Sequence, residues 1–175
     1  MKTLLLTEGD VKQLLPMNEV METVELAFRE KGLNRVQMPP KLYLFYHEYN
    51  GDLRAMPSYL KELGVSAVKV VNVHPDNRGK YGLPTVMATI ILIDPRNGAP
   101  IAIMGGTRIT DMRTGAAGGV AAKYLARRDC KVVGLVGAGV QARTQLMALL
   151  TLFGRLEEVR VSDRIKEARD SYVEE

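Results

Sequence analysis

Toward the end of the chain an apolar run at 131–136 leads straight into Gly137-Ala138-Gly139-Val140-Gln141-Ala142, and Leu146, Leu149 and Leu150 follow at helical spacing. A strand, a G-x-G-x-x-A turn and a helix in that order suit a dinucleotide pyrophosphate. Gly137 permits the tight turn, Gly139 lets the main chain approach the phosphates, and the small Ala142 lets helix and strand pack closely. The helix start adds free N–H groups and the positive end of its dipole. Gly154 ends the helix, 159–161 makes the next strand, and Asp163 stands at that strand's C-terminal end, where a carboxylate can accept both ribose hydroxyls. A glycine-rich turn of another α/β protein with a chance acid downstream is the competing interpretation; strand, helix and acid in register weigh against it. Arg164 and Lys166 beside the acid could take a 2′-phosphate, so NAD is favoured and NADP is the alternative.

Upstream, Lys69 places a charge in the middle of the apolar run Ala67-Val68-Lys69-Val70-Val71. It either points to solvent, as strand alternation allows, or lies in a cleft where it moves protons or holds a carboxylate. Arg113 is open in the same way, as a surface helix arginine or as a fork for carboxylate or phosphate. Two histidines, His47 and His74, and one cysteine, Cys130, lack partners at ligand or triad spacing, so no metal site and no disulfide is expected.

These residues need a scaffold, and the composition can build one: of 175 residues, 46% are hydrophobic and 25% charged. The net charge of +4 is scattered rather than gathered into a basic run, which argues against nucleic-acid binding. No apolar stretch at the N-terminus has the length of a signal peptide or a spanning helix, and a cytoplasmic setting is expected. Asn18, Glu19 and Glu22 start a helix over 19–31 that Gly32 stops. Strands are expected at 41–45, 53–60 and 65–73, the second demoted toward an edge by Pro57, with a hairpin signal at Asn50-Gly51-Asp52 and a polar loop at 75–79. Runs at 85–94 and 99–104, joined by Pro95-Arg96-Asn97-Gly98, predict an antiparallel hairpin. A long helix is expected over 107–127, and its Gly115, Gly118 and Gly119 imply close approach of a ligand or another backbone.

The fold class is therefore α/β: an N-terminal α+β domain over 1–127, then the first β-α-β part of a Rossmann dinucleotide-binding domain over 128–175. Two parallel strands and a helix make only part of a mononucleotide half, so the sequence is expected to be truncated within that domain, and to be doubtful as a catalyst by itself.

Six segments carry a further signal. They are Arg35-Val36-Gln37-Met38-Pro39-Pro40-Lys41, Arg54-Ala55-Met56-Pro57-Ser58-Tyr59-Leu60, Lys69-Val70-Val71-Asn72, Gly82-Leu83-Pro84-Thr85, Thr110-Asp111-Met112-Arg113-Thr114-Gly115-Ala116-Ala117, and the glycine loop. In order and spacing they resemble the ornithine cyclodeaminase and mu-crystallin family, and within it the archaeal-type alanine dehydrogenases. The resemblance implies an NAD-dependent amino-acid dehydrogenase, with Lys69 as proton donor and acceptor and with Lys41 and Arg113 on the substrate carboxylate. It also implies cofactor contacts from Thr85, Arg113, Thr114, Gly137, Gly139, Val140, Gln141 and Asp163, and a homodimer formed through the first domain. The apolar strands of 85–104, if exposed, would suit that interface; packing within one chain is the alternative. Lys41 stands where many cyclodeaminases have arginine. L-alanine oxidised to pyruvate and ammonia is the leading expectation; the rivals are cyclisation of L-ornithine to L-proline and mu-crystallin-like binding of a small ligand with NAD(P)H.

Overall fold

The computed structural model describes residues 2–175 and divides into two compact units, 2–14 with Ala27–Thr110, and Leu15–Leu26 with Asp111–Glu175. The elements are β1 (Leu4–Leu6), α1 (Glu8–Gln13), α2 (Met17–Gly32), β2 (Val36–Gln37), β3 (Leu42–Tyr46), β4 (Gly51–Leu60), β5 (Val65–Val73), α3 (Asn77–Tyr81), β6 (Val86–Ile93), β7 (Pro100–Gly105), α4 (Thr107–Leu125), β8 (Val132–Val136), α5 (Val140–Phe153), β9 (Glu158–Ser162) and α6 (Lys166–Glu174).

The first unit is built on a seven-stranded sheet in the order β1-β7-β6-β5-β4-β2, with β3 also paired to β4. Its middle is the antiparallel meander β4-β5-β6-β7, in which β5 and β6 are rich in β-branched residues, and its turns use the expected chemistry. Asn50 adopts a left-handed conformation (φ 47°) ahead of Gly51, where a Cβ would come within 2.3 Å of the His74 ring. Gly98 (φ 76°) closes the β6–β7 turn, in which Asp94 accepts bonds from the Arg96 backbone and guanidinium and from Asn97. Thr7 and Asp10 form a reciprocal capping box on α1, and the Glu8 carboxylate caps α4 by accepting from the N–H groups of Thr107 and Arg108.

Two expectations change here, and one strand joins the sheet that the sequence did not announce. β4 is not an edge strand: β5 lies on one side, and β3 and β2 share the other. Pro57 is tolerated because β3 pairs with 51–55 and β2 with 59–60, leaving 56–58 without a ladder partner on that side. The polar loop at 75–79 gives way to the short helix α3, ended by Gly82 in the left-handed region (φ 66°). And β1, a three-residue apolar stretch, is a parallel strand on β7.

In the second unit, parallel β8 and β9 are joined through α5, and α6 follows. Met17, Val20, Met21, Met112, Ala116 and Ala148 form its buried core. The α4 glycines meet a neighbouring backbone and its side chains. A Cβ on Gly115 would lie 2.4 Å from the Thr144 carbonyl oxygen, one on Gly118 would strike Gln145, and one on Gly119 would press on Ala148 and Met21.

Candidate functional site

In the first unit, the gap that Pro57 exposes is the floor of a pocket. Pro39 and Pro40 cannot donate to a ladder, so the 38–41 segment leaves the sheet between β2 and β3 opposite residues 56–58. Met38, Pro39, Pro40, Lys41, Met56, Pro57, Ser58 and Lys69 line the resulting cavity of about 490 Å³. Lys69 stands in register with Met56 on β4 and Ile90 on β6, and residues directly opposite in antiparallel strands share a face. The sheet thus presents the Lys69 ammonium to a wall that is mostly proline and methionine. Lys41 is exposed at the rim, and Lys69 is half-buried.

Thr110, buried in α4, completes this arrangement. Its hydroxyl donates to the Gly106 carbonyl at 2.7 Å and accepts from Lys69 Nζ at 3.3 Å. Two lysines in a mostly apolar pocket, one of them hydrogen-bonded to the Thr110 hydroxyl behind it, suit a small zwitterion whose carboxylate needs pairing and whose amine exchanges protons.

In the second unit, the loop between β8 and α5 takes the geometry its glycines allow. Gly137 has φ 100°, a region that disfavours side chains, and Gly139 is the extended N-cap of α5. The Gly137 N–H donates to the Ser162 carbonyl at 2.7 Å. Asp163, at the end of β9, accepts from the Ala138 N–H at 2.7 Å and from the Ile165 N–H at 2.8 Å. Those backbone donors, Ile165 first, hold its carboxyl below the usual carboxylate range. Open space surrounds the Cα of Gly137 and Gly139, and the first N–H groups of α5 have no acceptor within the helix. Donors, dipole and clearance fit a pyrophosphate, with Asp163 at the strand tip on the ribose side.

The remaining residues singled out in the sequence are placed as follows. Val140 and Gln141 are exposed in the first turn of α5, and Gln141 Nε2 donates to Asp111 at 3.4 Å. The Thr114 carbonyl accepts from Gln145 at 3.2 Å. Arg113 keeps exposed area, yet enough protein surrounds its guanidinium to desolvate it and push its pKa down. Thr85 precedes β6, and its carbonyl accepts from the His74 N–H at 2.8 Å. The structure thus brings Lys41 and Lys69 together, and Asp163 with the glycine loop. Thr110 as partner of Lys69, and Met38, Met56 and Ser58 as pocket walls, had no assigned part in the sequence; they lie inside the six quoted segments, which was their only signal. No group of three His, Cys, Asp or Glu side chains gathers as a metal site among the described residues, and no helix there is long and apolar enough to cross a membrane.

The sequence profile of the ornithine cyclodeaminase/mu-crystallin family matches residues 1–175. The chain belongs to that family. It is 49% identical to the alanine dehydrogenase of Archaeoglobus fulgidus over 173 residues, which are 99% of this chain and 52% of that protein. Among solved structures, an archaeal alanine dehydrogenase dimer with bound NAD superposes with a TM-score of 0.93 at 49% identity, covering 99% of this chain and 52% of that one. The Thermococcus litoralis Δ1-pyrroline-2-carboxylate reductase in complex with NADH and L-proline gives 0.94 at 47% identity, covering 99% and 53%. The chain spans about half the length of the curated relatives it matches. The α/β fold, with its partial Rossmann unit, is the one these structures share.

Proposed function

We propose that the protein carrying this chain is an NAD-dependent oxidoreductase of small α-amino acids, oxidising L-alanine to pyruvate and ammonia. The observation that carries this proposal is the pocket in which Lys41 and Lys69 share apolar walls of Met38, Pro39, Pro40, Met56 and Pro57. Lys41 pairs with the substrate carboxylate, and by family resemblance Arg113 does so too. Lys69, steadied by Thr110, takes in its neutral amine form the proton that the substrate amine must lose before its nitrogen lone pair can push electrons toward Cα. Once that proton has passed to solvent, the same Nζ takes a proton from the water that opens the imine and hands it to the departing nitrogen, which leaves as ammonia. When bound, NAD supplies the two-electron acceptor for the Cα–H bond. The N–H groups at the start of α5 and the Asp163 carboxylate are the residues that would hold it, with NADP as the alternative.

The 49% identity to an alanine dehydrogenase supports alanine over ornithine as the substrate. In this scheme residues 1–127 bind substrate and dimerise, 128–175 open the dinucleotide-binding domain, and Thr85, Thr114, Val140 and Gln141 contact the cofactor. Homodimerisation has apolar surface available in Leu42, Leu44 and Phe45 of β3. Within 85–104, β6 lies between β5 and β7, and the exposed large side chains are Ile101 and Ile103.

The test follows NADH absorbance in the intact protein given NAD with L-alanine, L-proline or L-ornithine. Net NADH from L-alanine, lost in Lys69→Ala, is the expected result. Formation of proline and ammonia from L-ornithine without net NADH would replace this assignment with cyclodeamination. NADH binding without turnover of any of the three would point to a ligand-binding protein.

A further inference from the structure

Arg143 lies in the first turns of α5, one residue past the glycine motif, and its guanidinium is held on three sides. Nη1 donates to the Ala138 carbonyl at 2.7 Å and reaches the Gly139 carbonyl at 3.4 Å. Nε and Nη2 grip the Glu175 carboxylate at 2.5 and 2.8 Å. The guanidinium carbon sits 4.8 Å from the centroid of the Tyr172 ring, whose hydroxyl donates to the Ala142 carbonyl at 3.1 Å. A surface ion pair that only docked α6 would need the Glu175 contact alone; here the third arm of the fork goes to the loop itself.

The geometry points to Arg143 as a positioning residue for the dinucleotide site, a role that rests on the NAD proposal above. In a trans peptide the carbonyl of one residue and the N–H of the next point in opposite directions. Fixing the Ala138 carbonyl therefore aims the Gly139 N–H, and fixing the Gly139 carbonyl aims the Val140 N–H, away from Arg143. The other two N–H groups of the loop are already committed, Gly137 to Ser162 and Ala138 to Asp163. Gly139 and Val140 thus head the donors left for an anion, followed by the other first-turn N–H groups of α5, and Arg143 sets the direction of these two without touching it. In a glycine-rich loop that restraint matters, because the conformational freedom that lets Gly139 approach a phosphate would otherwise be lost on binding.

The experiment is a fluorescence titration with NADH on the intact protein, alongside thermal unfolding and steady-state kinetics. Arg143→Ala is expected to weaken NADH binding about tenfold, the scale of losing one charge-assisted hydrogen bond. The KM for the amino acid and the kcat at saturating NAD should stay near wild type. Arg143→Lys, which keeps the charge but not the planar fork, should fall between. Glu175→Gln, which leaves the reach to both carbonyls, should stay within about twofold of wild type. Wild-type affinity in Arg143→Ala, or an equal loss in Glu175→Gln, overturns the role. If Arg143→Ala does not fold, the folded Arg143→Lys decides: reduced affinity supports the role and unchanged affinity overturns it. A wild-type protein that binds NADH but oxidises no amino acid sinks the proposed function and leaves this test readable; one that binds no NADH overturns both.

Discussion

Lys69 Nζ donates to the Thr110 hydroxyl at 3.3 Å, and that hydroxyl turns its own proton to the Gly106 carbonyl at 2.7 Å. Because the proton is committed to the carbonyl, the oxygen faces the lysine as an acceptor. Lys69 is thereby oriented across a separation of 41 residues. Thr110→Val keeps shape and removes the acceptor. It should lower kcat about tenfold while changing the KM for L-alanine little, since acid–base geometry rather than substrate binding is lost. Thr110→Ser should recover most of the rate. A Thr110→Val enzyme with wild-type kcat would remove Thr110 from the mechanism.

Lys41 tests the other end of the substrate. A charge-assisted hydrogen bond contributes roughly 1.5–3 kcal/mol, and exposure at the pocket rim places Lys41 at the lower end of that range. Lys41→Met should therefore raise the KM for L-alanine about tenfold. NADH affinity, measured by fluorescence, should not move; a parallel loss of NADH binding would mean that Lys41 serves the cofactor instead.

The elements that position these groups were largely legible in the sequence, because apolar, β-branched runs such as 65–73 and the strand–glycine–helix order at 131–150 are local signals. What was not legible depends on distant partners. Pro57 argued for an edge, yet the gap between β2 and β3 leaves it unopposed inside the sheet. Leu4-Leu5-Leu6 is a strand only because β7, 98 residues further on in register, offers it a parallel edge. Thr110 and Arg143 look like ordinary helix residues until the carbonyls they reach are known. For Lys69 the alternatives of solvent face and cleft are separated by the prolines at 39–40, which open the pocket on its side of the sheet.

The glycines of α4 give a stability prediction with an internal control. A Cβ at Gly115 would meet the Thr144 backbone at 2.4 Å, and a backbone atom cannot rotate away as a side chain can. Gly115→Ala should therefore cost roughly 1–3 kcal/mol by overpacking. Gly32, at the end of α2, has nothing within 4 Å of its added Cβ, and Gly32→Ala should stabilise by about 0.5–1 kcal/mol through the unfolded chain. Urea unfolding of both variants checks the pair. Equal effects at the two positions would mean that the α4–α5 approach is looser than the geometry implies.

Asp94 links stability to pH. It keeps little exposed area, but the cover comes from its own turn rather than from the interior: the Arg96 guanidinium and N–H and the Asn97 amide all donate to it. Those donors, the Arg96 side chain first, lower its pKa to about 2. Since the folded value lies below the unfolded one, near 3.9, the carboxylate's contribution is fully present above about pH 4 and is lost as pH falls toward 2. Asp94→Asn should unfold at a lower temperature than wild type at pH 7, because the amide cannot accept the guanidinium fork. The gap should narrow between pH 4 and pH 2 as the wild-type carboxylate protonates, while staying constant from pH 5 to 8. Differential scanning calorimetry across that range measures it. A gap that persists unchanged at pH 2 would show that the side chain acts through neutral hydrogen bonds in the turn and not through its charge.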